Sequence, residues 1–145
     1  MARTTHDAYT QGSLQTALST ELNSLGNGSV SAASATITNT SNLDLFLTVE
    51  LVLAAQASAR SSDAWVGVYL TQALDGSNFG DTNEITARLV AVLPLDAATT
   101  ARRVTMPDVA IPPGLFRLFV RNSTGQAFAA SGNVLGWRTH SLKSV

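Results

Sequence analysis

The chain has 145 residues, the size of one domain, with 9 basic and 10 acidic side chains, a formal net charge of −1 and no cysteine. That balance excludes the basic excess of a general nucleic-acid binder, and the missing thiols exclude disulfides and thiolate metal sites. Charged residues are 13% of the chain against 45% hydrophobic, about half the usual charged share, so part of the surface is expected to be buried against partners.

Residues 1–12 read as a polar arm and lack the apolar core of a signal peptide. Leu14, Leu18, Leu22 and Leu25 follow at spacings of four, four and three, a helical stripe. With Ser13 as N-cap and Gly26 as left-handed C-cap, the spacing predicts a short helix over Leu14–Leu25. From Ser29 onward the period becomes two. Val30–Thr38 alternates small and polar residues. Leu43–Ala54 places Leu43, Leu45, Leu47, Val49, Leu51 and Leu53 on one face, with Asp44, Phe46, Thr48, Glu50 and Val52 on the other. The apolar stretch over residues 43–57 is too short, and too interrupted by Asp44, Glu50 and Gln56, to cross a bilayer.

Ala64–Leu74 sets Ala64, Val66, Val68 and Leu70 against Trp65, Tyr69 and Thr71. Arg88–Leu93 carries Leu89, Ala91 and Leu93 on one side, and Arg102–Val109 is a further strand. Leu115–Asn122 points Phe116, Leu118 and Val120 inward, and Val134–Arg138 closes the set. Runs of Asn, Asp, Ser, Gly and Pro separate these segments, as tight turns require. About seven or eight strands without crossover helices predict an all-β fold, an antiparallel β-sandwich of jelly-roll type. The expected division is an arm with its short helix over residues 1–28, a sandwich over 29–140 and a frayed tail over 141–145.

Chemistry is sparse. His6 and His140 fall in the predicted terminal arms, away from metal-ligand spacing, and read as solvated imidazoles. No serine lies in a nucleophile elbow. Asp63, Asp75, Asp81, Glu84, Asp96 and Asp108 all fall in or near predicted loops, where turn chemistry explains them. Asp75–Asp81 loosely matches a calcium loop but lacks the later glutamate. The Asn-x-Ser/Thr triplets at Asn27, Asn39 and Asn122 read as turns. Neither catalytic residues nor a cofactor or metal site is predicted. Arg102 and Arg103 form the one basic pair, expected near Arg88, Arg117 and Arg121 if consecutive strands are neighbours, on an edge that deters aggregation. Trp65 and Trp137 are expected in the core.

The segment Ile111–Asn133, with Thr38–Leu45 and Leu74–Phe79, resembles small virion structural proteins of tailed bacteriophages, among them capsid decoration or cement proteins; the likeness spans about residues 36–137. That resemblance implies a non-catalytic protein that clamps neighbouring subunits of the major capsid protein. It would sit on the virion head surface after synthesis in the host cytoplasm. Its partners would be the shell and neighbouring copies of itself as a homo-oligomer, with no nucleic acid and no membrane. The expected partner contacts are Leu14, Leu18, Phe79, Arg102, Arg103 and Trp137. The alternative is a receptor- or glycan-binding module of a tail tip or fibre, using Phe79 or Trp137. A hydrolase is the third reading, with no base well placed for it.

Overall fold

Alternating burial is what assembles this chain. The structure, a computed structural model, describes residues 7–144. In chain order its strands are β1 (Asp7–Gln11), β2 (Gln15–Leu18), β3 (Ile37–Asn39), β4 (Phe46–Leu53), β5 (Trp65–Ala73), β6 (Arg88–Pro94), β7 (Arg102–Ala110), β8 (Gly114–Ser123) and β9 (Val134–Ser144). One sheet runs β1-β9-β4-β7, with β2 also pairing β9; the other runs β3-β8-β5-β6, and every pairing is antiparallel. The two form the expected sandwich.

Leu47, Val49, Leu51 and Leu53 of β4 are buried and face Val66, Val68 and Leu70 of β5 and Phe116, Leu118 and Val120 of β8 within one core cluster. Each fully buried side chain of this size contributes about 1.5–3 kcal/mol. The outer face of the second sheet also holds a layer. Tyr69 and Phe119 are stacked at 5.2 Å and buried there, because the 74–87 connection folds across them. Arg117 stacks over Phe79 at 3.9 Å and Arg121 lies 3.8 Å from Glu84, holding that connection down.

The leucine stripe does not form a helix. Gln15–Leu18 is a strand on β9 and Thr20–Leu22 a single 3-10 turn. A register shift between Thr16 and Leu18 rotates Leu18 inward, and the turn delivers Leu22, so both are fully buried. Helical spacing thus arises from a bulged strand followed by a tight turn. The uncapped flank of β9 supplies ladder hydrogen bonds that a helix there would leave unmade.

Two further expectations need correction. In β6, a register shift between Val68 and Tyr69 of the facing strand skips Val90, so Leu89 lies at the surface while Ala91 and Leu93 are buried. The C-terminal segment is no tail: β9 runs to Ser144, its last residues paired with β1. His140 is accordingly a buried strand residue, stacked on Phe46 at 5.6 Å, with Nε2 2.8 Å from Asp108 Oδ1. Asp108 belongs to β7, inside the strand expected over Arg102–Val109. His6 lies outside the described residues.

The two ends of the sandwich differ. At one end, loops 54–64, 95–101 and 124–133 are laced together by polar groups. The Arg60 guanidinium is buried and donates to Gln56 Oε1 at 2.8 Å, Asp96 Oδ1 at 2.9 Å, and the carbonyls of Asp96 and Thr100 at 3.0 and 3.1 Å. Gln56 donates onward to the Ala127 carbonyl, and Asn122, fully buried, donates to the carbonyls of Leu25 and Gln126. Loops 40–45, 74–87 and 111–113 meet at the other end.

Candidate functional site

The second end is where the chain departs from ordinary burial. Asn39 is buried and acts as a clamp: its amide donates to the carbonyls of Asp44 and Pro112, and its oxygen accepts the Asp44 N–H at 2.8 Å. With Asp44 drawn in, the loop before it must turn sharply, and Leu43 adopts φ +49. A branched side chain in the left-handed region costs about 1–2 kcal/mol. Leu43 and Leu45 are left more than half exposed, and Leu74, directly after the β5 residue that pairs with Leu115, is almost fully exposed. Ile111 donates its N–H to the Leu45 carbonyl, which fixes this loop beside 111–113. Three leucines therefore stand out at one end, one of them on strained backbone.

Of the loops at the braced end, none contributes a large exposed hydrophobic side chain among the described residues. The remaining exposed ones are Leu14 over the first sheet, against Gly136, Ile85 in the same 74–87 connection that Leu74 opens, and Leu89 and Val92 of β6.

A shallow apolar trough of about 490 Å³ borders β6, lined by Asp63, Trp65, Leu89, Val92 and Pro94 among others. A more polar groove of about 310 Å³ is lined by Trp137 with Gln15, Asn39, Asn42, Asp44 and Thr139.

The expected contact residues are scattered rather than gathered. Leu14 is exposed, whereas Leu18 is a core residue that reaches no surface. Phe79 is partly buried with one ring face covered by Arg117, so it is not an open platform. Trp137 is partly buried, packs on the core and edges the polar groove. Arg102 is engaged by Asp96, with Nε at 2.9 Å from Oδ2, and Arg103 reaches Glu50 at 2.6 Å. These arginines belong to β7 of one sheet, while Arg88, Arg117 and Arg121 belong to the other, because the strands do not pair consecutively. Leu43, Leu45 and Leu74 were missing from the expected contacts. Leu43 and Leu45 share the parity of the buried β4 leucines, and parity alone assigns them to the core.

Electrostatics here serve turns. Asp75 accepts from the Asn78 N–H, the Asn78 amide and the Ser77 N–H, which lower its carboxyl to about 2. That arrangement closes the turn after β5 and leaves the carboxylate saturated by local donors. Among the described residues, no group of three or more His, Asp or Glu side chains could hold a metal ion. No helix is long and apolar enough to cross a membrane among the described residues.

No protein-family model matches the chain, and no curated protein matches it. Among solved structures it is similar to a chain described as "CBM4 structure and function", with 16% identity, a TM-score of 0.33, and coverage of 83% of this chain and 80% of that one.

Proposed function

We propose that this protein is a non-catalytic virion structural protein, a capsid decoration or cement protein that binds and stabilises a shell of major capsid protein on the head surface. The observation that carries the reading is Leu43, a leucine held exposed on left-handed backbone by a buried asparagine clamp, beside exposed Leu45 and Leu74. Strain of this kind persists where the surrounding structure enforces it, and often marks a binding segment. The weakly charged composition and the resemblance of residues 36–137 to phage structural proteins support the same role. Repetition over a symmetric shell turns modest contacts into high avidity.

Co-sedimentation of purified chain with expanded shells lacking it tests the reading. Saturable binding is expected, with a gain in the heat resistance of the shells. A triple Leu43→Ser, Leu45→Ser, Leu74→Ser variant that stays folded is expected to lose most of that binding. Wild-type chain that remains in the supernatant overturns the proposal.

A second reading is favoured by the polar groove, where Trp137 sits with Gln15, Asn42 and Asp44, the mixture of ring and amides that suits a sugar. In that case the chain is a receptor- or glycan-binding module of a tail, and Trp137, not the covered Phe79, is the residue to test. Glycan-array hits that vanish in Trp137→Ala select it.

A further inference from the structure

The polar groove beside the exposed leucines carries a charge that no described residue answers. Both sheets line it: Gln15 of β2 and Trp137 of β9 from one, Asn39 of β3 from the other, with Asn42 and Asp44 of the loop that follows. Asp44 is the one charged residue among the described residues that line it, and it is only 9% exposed. The Asn39 clamp uses the Asp44 N–H and carbonyl alone. The Asp44 carboxylate accepts no hydrogen bond and makes no ion pair with a described residue, yet neither of its oxygens is sealed from solvent. Carboxylates buried to this degree are ordinarily paired. The donors around it are largely engaged already. The Asn39 amide gives its N–H groups to the carbonyls of Asp44 and Pro112, and the Gln15 amide donates to Ser13 Oγ at 2.8 Å. What the groove still offers is weighted toward acceptors, with the Asp44 carboxylate and the side-chain oxygens of Gln15 and Asn42 among them.

We infer that this groove receives an arginine side chain of a partner protein, its guanidinium paired with the Asp44 carboxylate and packed against Trp137. A guanidinium is all donor. Its planar fork gives two parallel N–H bonds to a carboxylate and keeps further N–H groups for neighbouring amide oxygens. The same plane is attracted to the face of an indole. A lysine ammonium brings the charge without the fork, and is more strongly hydrated. A neutral sugar leaves the carboxylate uncompensated, so Asp44 turns this groove from the glycan reading toward a basic partner. Leu43 and Leu45 adjoin Asp44 in the chain and are exposed, so the arginine enters beside apolar side chains that exclude water from the pair. That the partner is the shell rests on the reading proposed above; the fit of an arginine to the groove does not.

Titration of the isotopically labelled full chain with arginine capped at both termini, followed by NMR at the Trp137 indole N–H and the Asp44 backbone N–H, tests this without any shell. Failure here is therefore read separately from failure of shell binding. Saturable shifts at both resonances are expected, with a dissociation constant on the order of 1 mM that weakens as salt is raised. Capped lysine is expected to bind more weakly, and capped citrulline, the neutral isostere, to leave both resonances in place. Asp44→Asn is expected to weaken capped arginine by about tenfold. Because the carboxylate holds no bond and the backbone clamp survives the change, the thermal midpoint of that variant is expected to stay level or rise. Wild type that shows no shift overturns the inference, as does citrulline that matches arginine or an Asp44→Asn protein that binds unchanged. A fall in the midpoint of Asp44→Asn also overturns it, by making the carboxylate structural. Neutral monosaccharides that move the same resonances more than arginine overturn it in favour of the glycan reading.

Discussion

The two ends of this sandwich solve opposite problems. At the braced end, three loops converge on a buried Arg60, whose Nε, Nη1 and Nη2 each donate to a carbonyl, an amide oxygen or a carboxylate, and no large hydrophobic is exposed on those loops. At the far end, a buried Asn39 uses its bonds to hold a strained loop, and three leucines face solvent. Both ends are fixed by a buried polar side chain. In the first case the polar group ties loops to each other; in the second it holds a loop whose leucines stay uncovered. Buried hydrogen bonding is common to both ends, and the apolar atoms left exposed are what differ.

The contrast breaks most severely at Arg60. Arg60→Ala removes a buried cation and strands the Gln56 oxygen and two carbonyls, a class of change that costs about 3–5 kcal/mol. Urea unfolding is expected to show that loss, with loops 54–64 and 95–101 losing hydrogen-exchange protection first. A loss below about 1 kcal/mol would mean that the brace is ornamental. Asn122→Ala comes next. Its amide donates to the carbonyls of Leu25 and Gln126, and its oxygen accepts from the Thr124 N–H and hydroxyl. About 2 kcal/mol is expected, and proteolysis at the 19–28 segment should accelerate, since that segment is tied to the sheet through these bonds.

How much of this contrast was legible in the sequence depends on distance along the chain. β4 is readable because it alternates for eight residues with one face in the core, and β5 and β8 because an apolar core residue recurs at every second position, although part of their other face is covered as well. The 14–25 segment was misread because four leucines at helical spacing are also produced by a bulge at Ala17 followed by a 3-10 turn. His140 reads as part of a frayed terminus because chain ends usually fray; its pairing with β1 and Phe46 makes it a buried strand residue. Arg60 and Asp96 are 36 positions apart, in two loops that nothing in the sequence pairs. Leu43 was invisible as a site for a different reason. Leucine is among the residues least expected on left-handed backbone, so its exposure is a property of the fold around Asn39, not of its own neighbourhood.

Acid sharpens the same comparison with a smaller effect. Arg102 first and Arg60 second hold the Asp96 carboxyl well below the usual carboxylate range. A folded-state value depressed in this way stabilises the protein fully above the unfolded carboxylate value near pH 4, and that contribution is lost as pH falls from about 4 through the folded value. The denaturation midpoint is expected to drop between pH 6 and pH 3, and Asp96→Asn should remove part of that drop while lowering stability at pH 6. An Asp96→Asn protein with the full wild-type acid dependence would place the sensitive group elsewhere.

The smallest effect is the most telling, because its sign is opposite for stability and for binding. Asparagine tolerates left-handed backbone far better than leucine, so Leu43→Asn relieves strain and is expected to raise stability by about 0.5 kcal/mol. The same change deletes an exposed apolar side chain from the loop end, and co-sedimentation with shells is expected to weaken. Calorimetry and sedimentation on one preparation read both quantities. If Leu43→Asn gains stability and binds shells unchanged, the strained leucine serves no docking role and the loop end loses its claim to be the contact face. If it gains stability and loses binding, the strain at Leu43 is the cost of presenting that side chain.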